Sequence, residues 1–247
     1  MRIKRFGVCI AALCAVAAVS AATETGDKEP FWLGGGISGM NATRLRVWVN
    51  PKDGFCSPED VLKMAKRSQA LGMPVMIDFH YSDWWADPGK QNPPKAWLGM
   101  TLEQTEKALA DHTRQTLRLL KDNGIDVKWV QVGNETTHGF LWPMGRFEEN
   151  PVNYASLTKA GIKAVREVYP EAEVIIHLDN GFDQGLYDRV FDSLKSNGVE
   201  WDTIGISVDP YWTPEWNAED DYRLGAFSRN MPTVIMDAFK EAASSAR

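Results

Sequence analysis

Apolar positions recur in two rhythms that alternate along the chain. Short runs rich in β-branched and aromatic residues lie at 43–49, 74–79, 129–133, 174–178 and 203–208, with another at 232–236. Such runs read as strands buried on both faces. Between them the apolar residues return with helical spacing, which predicts helices at 57–71, 101–123, 153–169 and 185–197 and a short helical stretch at 220–228. Ser57-Pro58-Glu59-Asp60 supplies an N-cap, a proline at the first helical position and early acids, and Gly72 and Gly124 follow the ends of the first two helices. Strand and helix alternating in this way predict a parallel sheet with right-handed crossovers. A further run, 31–38, reads as a strand closed by a glycine turn. Only residues 39–42 separate it from the next strand, whereas a parallel crossover needs about ten to twelve residues, so these two are not ordinary parallel neighbours.

Polar side chains gather where the strands end: Arg46, Trp48 and Asn50; Asp78 and His80; Asn134 and Glu135; His177, Asp179 and Asn180; Asp209, Tyr211 and Trp212; and Asp237. Successive parallel strands that deliver polar residues to one rim predict an α/β fold of the (β/α)8 TIM-barrel type, with its pocket at that rim. The run Trp129-Val130-Gln131-Val132-Gly133-Asn134-Glu135 carries the sharpest signal, a buried strand that hands a carboxylate to the barrel mouth beside an asparagine able to grip a hydroxyl. The alternative is a helix-starting Asn134 with Glu135 in the first turn, favoured by the helix dipole.

Other candidates carry paired readings. Arg46 sits among apolar neighbours, where an arginine is costly unless paired. It either holds a catalytic carboxylate or substrate hydroxyl, or forms a structural ion pair with Asp78 or Glu135. His80 is expected to bond a sugar or Glu135, and His177 to be a satisfied buried histidine. Asp237 is either a second catalytic carboxylate or the cap of a terminal helix. Tyr81, Trp84, Trp85, Trp97, Trp142, Tyr211, Trp212 and Trp216 exceed what a core needs, and the loop 82–99 holds several of them. Asp60, Glu103, Glu106 and Glu148 read as solvated charges. Nucleophile elbow, phosphate loop and dinucleotide fingerprint are all absent from the sequence.

Composition narrows the classes further. The 247 residues with 44% hydrophobic content suit a globular domain, and a net charge of -6 gives no basic surplus for nucleic acid. Arg2, Lys4 and Arg5, an apolar run at 8–19 and Ser20-Ala21-Ala22 read as a secretory signal over 1–22, too short to span a membrane. A polar linker, 23–30, would follow, then the catalytic domain, 31–247, in a secreted or periplasmic protein. Cys9 and Cys14 leave with the signal, so the single remaining Cys56 excludes an internal disulfide and a multi-cysteine zinc site.

Several long motifs in order resemble glycoside hydrolase family 53, the arabinogalactan endo-β-1,4-galactanases. They are Arg44-Leu45-Arg46-Val47-Trp48-Val49-Asn50-Pro51, Asp78-Phe79-His80-Tyr81-Ser82-Asp83 with Trp85-Ala86-Asp87-Pro88, the run ending at Glu135, His177-Leu178-Asp179-Asn180-Gly181 and Ile204-Gly205-Ile206-Ser207. The resemblance implies a retaining hydrolase of β-1,4-galactan, a pectin side chain, with Glu135 as acid/base and Asn134 on the 2-hydroxyl. Arg46, His80, Asp83, Trp85, Asn134 and Trp212 would bind substrate, with no cofactor, no metal and a monomeric chain. The family's nucleophile, a glutamate ending the seventh strand, falls on Asp237, one methylene shorter. Against that pattern the barrel is expected to be incomplete, its first helix shortened between Ser38 and Thr43 and its last strand missing. A galactan-binding remnant without a competent nucleophile is the alternative function.

Overall fold

The computed structural model describes residues 9–10, 42–181 and 183–207. The expected strand 31–38, the helical stretch 220–228, the run 232–236 and the site candidates Trp212 and Asp237 lie outside these residues. In chain order the elements are β1 (Cys9–Ile10), β2 (Thr43–Val47), α1 (Pro58–Ala70), β3 (Val75–Phe79), α2 (Leu102–Asp122), β4 (Val127–Val132), β5 (Gly139–Phe140), β6 (Gly145–Arg146), α3 (Pro151–Val168), β7 (Glu173–Leu178), α4 (Gln184–Ser196) and β8 (Thr203–Ile206). The main sheet has the order β1-β8-β7-β4-β3-β2, and every pairing within it is parallel. β5 and β6 form a separate antiparallel ribbon.

Local chemistry explains the boundaries. Ser57 caps α1 with Pro58 at its first position, and Thr101 and Gln104 close a reciprocal capping box on α2. β2 stops two residues short of the expected strand because Trp48 and Val49 turn their amides to the carbonyls of Cys56 and Ser82. β4 starts two residues early, since the register slips between Val75, opposite Val127, and Met76, opposite Trp129. Lys128 is the extra residue of that bulge. Asp60 is no solvated charge, because its carboxylate accepts the Cys56 amide at 3.0 Å. Glu106 likewise accepts from Ser156 of α3, whereas Glu148 is exposed as expected and pairs with His138 at the surface.

Alternate strand residues face opposite ways. Leu45, Val47, Val75, Ile77, Phe79, Val130, Val132, Val174, Ile176 and Leu178 join the helices in one large core. The other parity builds a small inner cluster of Ala42, Met76, Trp129 and Ile175. Gly161 lets α3 lie close on β4, since a Cβ there would meet Val132 Cγ1 at 2.7 Å. Among the described residues no helix is long and apolar enough to cross a membrane, and no three His, Cys, Asp or Glu residues group as metal ligands.

Candidate active site

Toward the C-terminal ends of the strands the inner parity turns polar: Asp78 and His80 from β3 and its exit, Gln131 and Asn134 from β4 and its exit, His177 from β7. Asp78 is 2% exposed and ties this layer together. Its carboxylate takes Arg44 Nη2 at 2.9 Å, His80 Nε2 at 3.2 Å and Gln131 Nε2 at 2.6 Å. Burial alone would raise its pKa, but Arg44 and His80 bring it down to about 2. Asp78 is therefore an ionised strut.

The partner of Asp78 is Arg44, not Arg46. Arg46 belongs to the same face but lies against the aromatic rim, its guanidinium 3.7 Å from the Trp85 ring centre and 5.1 Å from that of Trp48. The expected ion pair of Arg46 with Asp78 or Glu135 is thus replaced by cation–π stacking, with a 3.6 Å contact to Cys56 Sγ. His80 also departs from expectation. Both ring nitrogens are engaged, Nε2 with Asp78 and Nδ1 as acceptor of the Ala86 amide at 3.0 Å, so it does not bond Glu135. Asp83 accepts the amides of Asn50 at 3.0 Å and Lys95 at 2.9 Å, one on each carboxylate oxygen, which staples two loops together.

Asn134 and Glu135 follow β4 after Gly133. Asn134 is not the helix cap that one reading proposed. Its Oδ1 accepts from Arg44 at 2.8 Å and its Nδ2 donates to the Ala86 carbonyl at 2.8 Å, which leaves one amide proton over. Glu135 stands in left-handed backbone, φ 49° and ψ 53°, and opens a one-turn 3-10 helix, Thr136–His138, without a side-chain cap. That conformation costs a non-glycine residue about 1–3 kcal/mol and needs support from its surroundings. His177 Nδ1 accepts the Glu135 amide at 3.2 Å, and Gln91 Nε2 donates to the carbonyls of Asn134 and Glu135 at 2.8 and 3.2 Å. Gly133, at φ 85°, completes the turn, where a Cβ would strike Thr136 Cγ2 at 2.5 Å.

Burial pushes the Glu135 carboxyl pKa up, opposed by a hydrogen bond from Ser207 and aided by the Asp179 charge. A raised carboxyl pKa is a shift in the direction that a general acid requires. Asp179 is also raised by burial and is bonded to Thr137. Around this centre Trp84 and Trp85 are 56% and 41% exposed and flank buried Trp48, with ring centres 4.7 and 6.0 Å from it. Tyr81 and Trp97 are core residues instead. Two clefts of about 440 and 660 Å³ on the helical side include neither Glu135 nor its partners.

Sequence reasoning gave no role to Gln91, Gln131 or Ser207 and put Arg46 in the place of Arg44. Strand parity could have flagged Arg44 and Gln131, but no local signal marks Gln91, which reaches the site from a long loop.

The model of glycosyl hydrolase family 53 matches residues 8–235. The chain is 36% identical over 184 residues to a probable arabinogalactan endo-β-1,4-galactanase A of Neosartorya fischeri, covering 72% of this chain and 51% of that one. It is 36% identical over 183 residues to an endo-β-1,4-galactanase of Bacillus subtilis, covering 71% and 42%. Among solved structures, the GH53 catalytic domain of Ignisphaera aggregans superposes with a TM-score of 0.70 at 36% identity, over 76% of this chain and 53% of that one. A fungal β-1,4-galactanase superposes at 0.71 with 33% identity, over 79% and 60%. The chain spans about half the length of the curated relatives it matches. A parallel sheet with interleaved helices, a carboxyl at the end of β4 and a family match over most of the sequence agree: this chain belongs to glycosyl hydrolase family 53.

Proposed function

We propose that this protein is an endo-acting, retaining hydrolase of β-1,4-galactan, in which Glu135 protonates the leaving glycosidic oxygen and then activates the water that releases the product. The observation that carries the reading is Glu135 itself, a carboxyl at the end of β4 whose burial favours the protonated acid. The galactanase names of the relatives supply the substrate. Retention requires a second carboxylate about 5–5.5 Å from the first. Asp78 is consumed by Arg44, His80 and Gln131, and Asp179 is held by Thr137; the resemblance to family 53 puts the nucleophile's part on Asp237. Asn134, Trp85 and Trp212 bind the sugars, with Arg46 and His80 supporting the pocket and Asp83 its loops.

The test is reducing-end release from β-1,4-galactan by the purified chain and by Glu135→Gln. The substitution is expected to lower the rate by roughly 10²- to 10⁴-fold. Equal rates would remove Glu135 from the role.

A second reading, galactan binding without hydrolysis, draws on the exposure of Trp84 and Trp85. Galactotetraose would then shift tryptophan fluorescence while no product forms.

We also propose export and a monomeric state. The order of basic, apolar and small residues in 2–22 supports export, yet Cys9–Ile10 pairs with Gly205–Ile206 in the sheet. One segment cannot be both a discarded signal and a strand of the mature protein. N-terminal sequencing of the exported chain separates the two: a start near residue 23 supports the signal, and retention of Cys9 overturns it. A monomer should elute as one copy in light-scattering chromatography, and a mass of two copies would refute it.

A further inference from the structure

The proposed reaction leaves two side chains beside Glu135 without a part, His177 of β7 and Ser207 just past β8. His177 is 1% exposed, and it fits there because β8 carries Gly205 opposite, where a Cβ would come within 3.0 Å of the imidazole. The Glu135 amide lies 3.2 Å from His177 Nδ1. An amide can only donate, so Nδ1 carries no proton. Burial, with Arg44 nearby, lowers the ring's pKa to about 3, and the imidazole is neutral. Its single proton is then on Nε2, which lies 2.9 Å from Ser207 Oγ and donates to it. The Ser207 hydroxyl keeps its own proton to donate onward, and Ser207 is among the groups that lower the pKa of the nearby Glu135 carboxyl.

One contact argues for the opposite tautomer, since Asn134 Oδ1 is 3.1 Å from His177 Nδ1. That oxygen already accepts from Arg44 at 2.8 Å and Gln131 at 3.3 Å. Placing the proton on Nδ1 would add a third donor to it and leave the Glu135 amide facing another N–H. An unsatisfied buried donor costs more than a surplus acceptor contact gains.

We propose that His177 and Ser207 are positioning residues that close a hydrogen-bond loop, running from the Glu135 amide through the imidazole and the serine hydroxyl back to the Glu135 carboxylate. The loop ties the side chain to its own left-handed backbone and favours the ionised form, which Glu135 must adopt once it has protonated the leaving group and before it can act as base. The inference rests on the acid/base reading of Glu135. The other charged groups that face this carboxyl are Asp179 beyond β7, Arg44 of β2 and Asp78 of β3.

Ser207→Ala is expected to raise the Glu135 pKa by about one unit, the effect of losing one hydrogen bond to a carboxylate. The alkaline limb of kcat/KM on galactan moves up by the same amount, because the acid stays protonated longer, and Ser207→Thr restores it. A readout independent of turnover is the carbon-13 titration of the Glu135 carboxyl, assigned by its loss in Glu135→Gln. Nitrogen-15 spectra of the unsubstituted protein should show His177 bare at Nδ1 and protonated at Nε2. A Glu135 titration unchanged in Ser207→Ala overturns the proposal, and so does a proton on Nδ1. If Ser207→Ala does not fold, the histidine spectrum decides alone. If the chain cleaves no galactan, the functional reading fails while the two spectra still decide the loop.

Discussion

Two arginines, two residues apart on one face of β2, meet different fates. Arg44 neutralises buried Asp78, while Arg46 lies over the Trp85 ring. Removing Arg44 leaves a buried carboxylate without its cation, a change that typically costs about 3–5 kcal/mol. Removing Arg46 forfeits a cation–π contact worth about 0.5–2 kcal/mol. Arg44→Met should therefore lower the urea midpoint well below that of Arg46→Met, and the reverse order would refute the assignment of Asp78 to Arg44. The sequence showed that an arginine in this strand needed a partner, and parity put both on the inner face. It could not say which one would reach Asp78, because that depends on how high each stands in the barrel.

At the scale of elements, the packing of α3 on β4 depends on Gly161. A side chain there would press on Val132 at 2.7 Å, the Tyr81 hydroxyl at 3.1 Å and Leu109 at 3.3 Å. Overpacking of this kind typically costs about 1–3 kcal/mol, more than the roughly 1 kcal/mol that a better helix former than glycine regains. Gly161→Val should lower the melting temperature, and a variant as stable as the parent would show that α3 stands off the sheet. Helix starts were legible at Ser57-Pro58 and Thr101 because caps are chemistry between residues three apart. The close approach at Gly161 was not, since the residues it accommodates come from β4, α2 and the turn after β3. Gln91 is a similar case: its loop stood out by length, but its grip on the carbonyls of Asn134 and Glu135 spans more than forty residues.

At the scale of the whole molecule, two histidines whose pKa values are lowered, His112 and His177, have opposite surroundings. His177 is hydrogen-bonded within the site. His112 of α2 lies among Phe79, Tyr81 and Trp97 with no partner for Nε2. Burial lowers their pKa values from 6.5, to about 4 for His112 and, with Arg44 nearby, to about 3 for His177. The unfolded chain thus binds these protons first as pH falls. Their contribution to stability is complete above pH 6.5 and is lost as pH drops toward 4 and then 3. Asp78 acts lower, its contribution present above 3.8 and lost as pH falls through about 2. Glu135 and Asp179, raised by burial, work in the opposite sense and are relieved by acid. The urea midpoint should fall between pH 7.5 and pH 5, and His112→Phe should flatten that fall; an unchanged slope in the variant would show His112 to be uninvolved. By itself the sequence determined the alternation of strand and helix, the rim that gathers polar strand ends, and Glu135 as the carboxyl delivered by β4. Those follow from side-chain periodicity and short-range chemistry, which are written along the chain. Only the tertiary structure decided that Arg44 holds Asp78, that His80 is used up by Asp78 and Ala86, and that His177 and Ser207 meet at Glu135. Such pairings join different strands, and their distances depend on sheet register and the height of each side chain in the barrel, which no local pattern encodes.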